Sequence, residues 1–259
     1  MPHLFAHLRA ALTAALVFLY VFVVGTPFVL HARWTRRIDP LYRIARWGAA
    51  MGLWLAGIRL ELHGEENLPR GRPCVYMANH QSNVDAPLLF VLLPPRIALM
   101  GKRQVFSIPV LGAALRLADF VRVDRENPEA ARASVDEALR HLQRGTSFLV
   151  FPEGTRTPDG RLQRFKHGVF VLALRAGVPI VPITLDGAAT LMAKGKWEIY
   201  PGVVRVTIHP PVEIRHRSLE ERQRLAEEVR AVVASALPEE SRATASSSAL
   251  VAGEPDEPR

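Results

Sequence analysis

Residues 10–30 are the feature that most constrains the fold of this chain. The segment AALTAALVFLYVFVVGTPFVL holds 21 residues and no charged side chain. As an α-helix it would be about 31 Å long, close to the hydrocarbon thickness of a bilayer. A cleaved signal peptide and a buried core helix are the alternatives, but the run is long for a signal sequence and no small-x-small cleavage site follows it. The segment therefore favours a membrane anchor.

Positive charges indicate how this segment is oriented. Arg9 alone precedes it, whereas five arginines follow it, at positions 33, 36, 37, 43 and 46. Because cytoplasmic flanks carry the excess of Lys and Arg, the rest of the chain is predicted on the cytoplasmic side of the cell membrane. A second apolar stretch, from Leu41 to Ile58, carries Trp47 and Trp54 and suits the interfacial region. Residues 1–58 are thus predicted as membrane-anchoring helices, either a span with a surface helix or a helical hairpin in one leaflet.

The excess of basic residues narrows the choice of partner. The chain has 33 Lys and Arg against 25 Asp and Glu, a net charge of +8 and a pI near 10.3. This balance favours nucleic acid, a membrane surface or a phosphorylated substrate. The basic residues are dispersed and no nucleic-acid-binding motif is present, so no nucleic acid partner is predicted. The single cysteine, Cys74, and the scattered histidines predict neither a disulfide nor a metal site.

From residue 59 onward, short β-like runs alternate with helix-like segments, which predicts an α/β domain with a central sheet over residues 59–237. The candidate strands are residues 59–62, 74–78, 96–100, 120–123, 147–151, 180–185 and 203–208. The candidate helices are residues 86–92, 110–117, 128–144, 168–176 and 219–237, and the last begins with the capping-box pattern of Ser218 and Glu221. The tail, residues 238–259, is rich in Ser, Ala, Glu and Pro and is predicted to be disordered.

The stretch ANHQSNVDAP places His80 and Asp85 five residues apart, directly after an apolar run. Neither a helix nor a strand brings side chains at that spacing together. Pro87 in the first turn of the next helix makes Asp85 its predicted N-cap, and the loop of residues 81–84 can then return His80 to Asp85. A carboxylate against one imidazole nitrogen leaves the other free to act as a general base on a substrate hydroxyl. The alternative is a helix cap beside an ordinary loop histidine.

Three further segments can form a binding pocket. The motif FPEGTR, residues 151–156, follows a candidate strand at the end where α/β sheets place ligands, and Arg156 offers a fork of donors suited to a phosphate. Lys102 follows another candidate strand and can add a second charge. The alternative for Arg156 and for Lys102 is a solvated side chain on the surface. The segment Val178–Ile183, with two prolines, is predicted as a buried edge strand or pocket wall near an acyl chain.

In combination these residues resemble the glycerolipid acyltransferase family, specifically the 1-acylglycerol-3-phosphate acyltransferases. The family pattern is Asn-His-x4-Asp, a basic block with a following proline, Phe-Pro-Glu-Gly-Thr-Arg and Val-Pro-Ile, in that order. The chain matches it at residues 79–85, 101–109, 151–156 and 181–183. The resemblance covers roughly residues 60 to 210. It implies an α/β fold with a central mixed sheet flanked by helices, and an N-terminal membrane-embedded helical pair.

The resemblance also implies a reaction and its residues. His80 would be the general base, oriented by Asp85, and the acyl donor would be acyl-CoA or acyl-carrier protein, with no cofactor. The acceptor would be the membrane lipid lysophosphatidic acid, giving phosphatidic acid in phospholipid biosynthesis. The same chemistry on glycerol 3-phosphate, another lysophospholipid or a lyso-aminolipid is the alternative. Arg156 would bind the acceptor's phosphate with help from Lys102, in a pocket shaped by Glu153, Gly154 and Thr155.

Overall fold

The computed structural model describes residues 2–94, 96–123 and 128–242. Its seven strands lie within a residue or two of the predicted runs: β1 Ile58–His63, β2 Val75–Ala78, β3 Ile97–Lys102, β4 Val121–Val123, β5 Ser147–Val150, β6 Ile180–Asp186 and β7 Gly202–Ile208. They form one sheet in the order β1-β7-β6-β2-β5-β3-β4. Neighbouring strands are parallel except β6 and β7, which are antiparallel. The predicted mixed sheet is therefore confirmed.

Helices cover both faces of this sheet: α1 Pro2–Tyr20, α2 Thr26–Thr35, α3 Asp39–Leu55, α4 Asp85–Leu92, α5 Leu111–Leu117, α6 Pro128–Gln143, α7 Phe170–Ala176, α8 Ala188–Leu191 and α9 Arg222–Ser235. Side chains of β2 alternate between the faces, since successive residues of a strand point in opposite directions. Val75 and Met77 pack in a buried cluster with α6, α7 and α9. Tyr76 and Ala78 pack in a second buried cluster with α3, α4 and α8.

Strand β6 is central rather than at an edge, so the edge position predicted for its proline-containing segment is wrong. Pro182 lacks an N–H, which normally keeps proline out of a central strand. Its carbonyl accepts a hydrogen bond from His209 N (3.0 Å), just beyond the end of β7 at Ile208. The nitrogen of Pro182 also faces β7, at the point where the hydrogen-bond ladder between β6 and β7 has ended. The missing donor thus costs the sheet no ladder hydrogen bond, and a central proline is tolerated.

The N-terminal helices form one long segment. A π-helical turn, Val21–Gly25, joins α1 to α2, directly before Pro27, which cannot donate to the preceding turn. Residues 3–35 are long and apolar enough to cross a membrane, with a mean hydropathy of 2.2 in their most apolar window. One side of the segment packs against the protein through Ala6, Ala10 and Ala32. The outer side exposes large apolar residues: Leu4, Phe5, Leu8, Leu12, Phe18, Leu19, Val23, Leu30 and Trp34. The segment therefore fits a membrane anchor.

The start of the predicted disordered tail is ordered. Residues Glu239–Ser241 form a turn of 3-10 helix, and Leu162 N donates a hydrogen bond to Ser241 O (2.9 Å). The Arg242 guanidinium donates to the carbonyl oxygens of Leu237 and Ser235 at the end of α9. These contacts extend the ordered domain to residue 242. Residues 243–259 lie outside the described residues.

Tyr42 joins α3 to the sheet and yields a stability prediction. Its buried hydroxyl lies 3.1 Å from Ile97 O and 2.9 Å from Ala118 O. We expect Tyr42→Phe to lower the free energy of unfolding by about 1–3 kcal/mol, because buried acceptors lose their donor. Tyr200→Phe is the matched control: in the described part of the chain its hydroxyl contacts the exposed His3, so the loss should stay under about 0.5 kcal/mol. Denaturant unfolding in detergent micelles measures both, and equal losses would contradict the assignment.

Candidate functional site

The carboxyl ends of three neighbouring strands define the site. Strands β5, β2 and β6 are adjacent and parallel. The loops that leave them therefore start at the same edge of the sheet. The loop after β2 begins at Asn79, the loop after β5 begins at Phe151, and the chain leaves β6 after Asp186. Motifs that lie about 70 residues apart in sequence are thus brought together by strand order.

The loop after β2 reverses the chain as predicted. His80 Nδ1 lies 2.8 Å from Asp85 Oδ2. The same carboxylate oxygen accepts hydrogen bonds from the backbone N–H groups of Gln81 (2.6 Å) and Ser82 (2.7 Å). These three donors surround one oxygen of a completely buried side chain. The turn is thus built around the Asp85 carboxylate.

The predicted N-cap role of Asp85 is wrong. Val84 occupies the N-cap position, and Asp85 is the first residue of α4. Its carboxylate turns back towards the preceding loop, where two N–H groups and the imidazole compete for it, and makes no capping hydrogen bond to the helix. In the described part of the chain, Oδ1 has no hydrogen-bond partner. The side chain therefore supports the loop and the histidine instead of the helix end.

His80 is held on two sides. Its ring stacks on Phe151 with a centroid distance of 4.0 Å and an interplanar angle of 17°. With the Nδ1 proton directed at Asp85, Nε2 carries the free lone pair. The imidazole is partly exposed, with 20% of its side chain accessible. Nε2 is thus available to accept a proton from a bound molecule.

Glu153, predicted in the phosphate pocket, is buried and turned towards the loop backbone. Its Oε1 accepts a hydrogen bond from His80 N (2.6 Å), and its Oε2 accepts one from Gln163 N (3.1 Å). Burial raises the pKa of this carboxyl from 4.5 to about 7, and the two N–H donors partly oppose that shift. Glu153 therefore fixes the main chain that carries His80.

Asn79 and Gln81, the neighbours of His80, tie the loop to β6 and α8. The buried Asn79 amide donates to Leu185 O (2.8 Å) and accepts from Leu185 N (2.7 Å). Gln81 accepts from Ala188 N (3.2 Å) and donates to Gly160 O (3.3 Å). The sequence placed Asn79 in a motif but offered no sign of this role, because its partner lies 106 residues further along the chain.

The loop after β5 gathers cations. Arg156 is half-buried, and its Nη1 is buried without a hydrogen-bond partner among residues 2–94, 96–123 and 128–242. Gly154 is left-handed (φ 75°), and a Cβ there would lie 3.0 Å from the side chain of Lys166. Lys194 Nζ donates to Arg156 O (2.9 Å). Lys166 and Lys194 were not predicted, because both reach this loop only through the tertiary fold.

Two other predicted pocket residues occupy different positions. Thr155 is exposed at the tip of the loop. Lys102 ends β3, the strand beside β5, but its side chain lies outside the described residues. Its phosphate contact stays a prediction.

An apolar cavity of about 220 Å³ opens beside the loop that carries His80 and Asp85. Small residues on two helices make room for it: Ala10 and Ala14 on α1, and Gly48 and Gly52 on α3. Val84, in the His80–Asp85 loop, and Met192 line the opposite wall. The cavity thus lies between the N-terminal helices α1 and α3 and the His80–Asp85 loop.

Two other buried titratable groups, Cys74 and His209, are structural. Cys74 is fully buried, and burial raises the pKa of its thiol to about 11. His209 follows β7 and lies 2.8 Å from the Thr184 hydroxyl, and burial lowers its pKa. Among the described residues, no group of three or more His, Cys, Asp or Glu side chains is placed to hold a metal ion.

The chain is similar in sequence to known acyltransferases. The family model described as Acyltransferase matches residues 59–186. The 1-acyl-sn-glycerol-3-phosphate acyltransferase of Pseudomonas aeruginosa is 33% identical over 190 residues, which cover 73% of this chain and 72% of that protein. A chloroplastic 1-acyl-sn-glycerol-3-phosphate acyltransferase of Brassica napus is 37% identical over 202 residues, covering 77% of this chain. The match spans only 58% of that plant protein.

The chain is also similar in fold to a known acyltransferase. The crystal structure of the 1-acyl-sn-glycerophosphate (LPA) acyltransferase PlsC from Thermotoga maritima superposes with a TM-score of 0.79 at 28% identity. The superposition covers 90% of this chain and 95% of that one. With its motifs assembled at one edge of a sheet of that fold, and with relatives of this similarity, the chain belongs to the acyltransferase family.

Proposed function

We propose that this protein transfers a fatty acyl group from a thioester to the free hydroxyl of lysophosphatidic acid, giving phosphatidic acid. The observation that carries the proposal is the 2.8 Å contact between His80 Nδ1 and the buried Asp85 carboxylate, which leaves Nε2 open to substrate. The names of the relatives support the choice of acceptor. Glycerol 3-phosphate, another lysophospholipid or a lyso-aminolipid is the alternative acceptor.

The reaction needs only a base and alignment, because a thioester is already activated. His80 Nε2 takes the proton of the acceptor hydroxyl while that oxygen attacks the thioester carbonyl carbon. The tetrahedral intermediate expels the thiolate, which recovers the proton from the imidazolium, so the products are the ester and a free thiol. Asp85 stabilises the imidazolium during this cycle. A base of this kind contributes about 10²–10⁴-fold in rate, and positioning adds several kcal/mol.

The cations of the neighbouring loop would bind the acceptor's phosphate. Arg156 has a buried donor nitrogen without a partner in the described chain, and a phosphate oxygen would satisfy it. Lys166 and Lys194 flank the same loop and add positive charge. Lys102 remains a further candidate. Phosphate bound here would bring the acceptor's hydroxyl end close to His80, since Phe151 of this loop stacks on the imidazole.

The acyl chain of the lipid acceptor would enter the apolar cavity between α1 and α3. Its walls are almost entirely hydrocarbon, and Val84 lies on its inner side next to the His80–Asp85 turn. Such a slot suits a lysolipid better than glycerol 3-phosphate, which has no chain to bury. The acyl donor is proposed to be acyl-CoA or acyl-carrier protein, with no cofactor.

The N-terminal helices are proposed to lie in one leaflet rather than to span the bilayer. Both ends of the segment touch the same α/β domain: Ala6 O accepts from Ile199 N (3.3 Å), and Val29 and Ala32 pack against α5. A spanning helix would place these contacts on opposite sides of the membrane, beyond the reach of one domain. The arginines after α1 favour the cytoplasmic face of the cell membrane.

His80 provides the direct test. We expect His80→Ala to lower kcat by about 10²–10⁴-fold, because the hydroxyl loses its base. Acyl transfer to lysophosphatidic acid by the purified full chain, with both thioester donors, measures this. His216→Ala is the control and should keep wild-type activity. His216 is exposed in the segment that follows β7, outside the loops after β2, β5 and β6. Undiminished transfer by the His80 variant would refute the mechanism.

Arg156 tests the choice of acceptor. We expect Arg156→Ala to raise KM for lysophosphatidic acid by about 10–100-fold, the effect of losing a charge-assisted hydrogen bond of about 1.5–3 kcal/mol. A phosphate-free acceptor such as monoacylglycerol should respond far less to the substitution. The exposed Arg215→Ala serves as the matched control. Equal sensitivity of both acceptors would contradict phosphate binding at this position.

Glu153 yields a pH prediction. Because the folded carboxyl has a pKa near 7 instead of 4.5, the folded state holds its proton longer than the unfolded state does. This contribution to stability is fully present below pH 4.5 and is lost as pH rises through about 7. We expect the wild type to lose stability relative to Glu153→Gln across this range, as measured by denaturant unfolding in micelles. Parallel pH curves for the two proteins would contradict the burial argument.

A further inference from the structure

An exposed tryptophan lies on the α/β domain, outside the N-terminal helices. After α8 the chain makes a tight turn in which Lys196 N donates to Ala193 O (3.1 Å) and Gly195 is left-handed (φ 80°). This turn presents Lys194 and Lys196 and is followed by Trp197, whose exposure is 70%. A large exposed aromatic ring that follows two lysines is typical of the membrane–water interface.

The segment after this turn is fastened to the start of α1. Ile199 N donates to Ala6 O (3.3 Å), and the Tyr200 hydroxyl lies 2.9 Å from His3 Nδ1. The first turns of α1 expose Leu4, Phe5 and Leu8. Trp197 is therefore next to the surface that we assign to the leaflet.

The same turn is also fastened to the site. The Ser82 hydroxyl, in the His80–Asp85 loop, donates to Met192 O (2.8 Å). Lys194 Nζ donates to Arg156 O (2.9 Å). Trp197 itself lines the apolar cavity between α1 and α3. The segment around this turn thus contacts the start of α1, the cavity, and the loops after β2 and β5.

We propose that residues 194–197 form a second membrane contact, carried by the catalytic domain and directed at an anionic leaflet. Trp197 lies in the interfacial layer and Lys196 meets lipid phosphates, which holds the entrance of the cavity at the level of the headgroups. A lysolipid then enters sideways, without leaving the leaflet. The inference rests on the proposed seating of the N-terminal helices, and continuity with their exposed apolar side is what favours a membrane over a protein partner.

Fluorescence quenching tests this contact in the full chain. The protein has four tryptophans, Trp34, Trp47, Trp54 and Trp197, so a single-tryptophan protein is made by changing the other three to Phe. It is reconstituted on vesicles of phosphatidylcholine and phosphatidylglycerol, with or without bromine on the acyl chains near the headgroup. We expect brominated lipid to reduce the emission of Trp197 at least twofold. On vesicles without bromine, we expect the lipid interface to protect Trp197 from quenching by aqueous iodide.

Two reference proteins make the outcome unambiguous. The first keeps only Trp47, on the exposed side of α3, and reports whether the helices are seated. The second has all four tryptophans changed to Phe and carries Arg215→Trp, outside the strand-end loops, where no quenching is expected. Quenching of Trp47 without quenching of Trp197 would overturn the second contact and leave the membrane seating intact. Quenching of neither would overturn both.

Discussion

The site depends on one buried carboxylate oxygen. Burying a charge is costly unless donors replace the lost water, and Asp85 Oδ2 accepts hydrogen bonds from two backbone N–H groups while it contacts the imidazole. Because these N–H groups belong to Gln81 and Ser82, the carboxylate closes the turn and orients His80 at once. Loss of the carboxylate would therefore remove the reversal of the chain together with the support of the base.

The rest of the sheet edge reinforces that turn. Glu153 holds the His80 backbone from the β5 side, and Asn79 holds the start of the loop from the β6 side. His80 thus lies between two strands that are fixed by the core, with Phe151 packed on its ring. The proposed role of His80, to take a proton from a lipid hydroxyl in one fixed geometry, requires such rigidity. Arg156, the proposed phosphate ligand, lies on the same loop as Glu153, so the proposed acceptor binding and the position of His80 share one support.

The N-terminal helices α1 and α3 form part of the site, because they line its apolar cavity. They pack on the same face of the sheet as α4, and their small residues leave the cavity that ends at the catalytic loop. The turn at residues 194–197 adds a third connection among helix, cavity and loops. From the N-terminal helices to the sheet edge, the structure presents first an apolar cavity and then the cations of the loop after β5. The proposed acceptor, with a hydrocarbon chain at one end and a phosphate at the other, matches this order.

The sequence by itself determined the local features. Short apolar runs located the seven strands of the described residues within a residue or two. The spacing of His80 and Asp85 required a reversal, because no regular element brings such residues together. The capping box of Ser218 and Glu221 is present as read. Only the tertiary structure decided the contacts between separate segments: the pairing of Asn79 with Leu185, the inward turn of Glu153, and the arrival of Lys166 beside Gly154 and of Lys194 beside Arg156. It also decided that Pro182 is tolerated in a central strand, because the β6–β7 ladder stops before its nitrogen, and that Asp85 serves its loop, because three donors of that loop share its carboxylate.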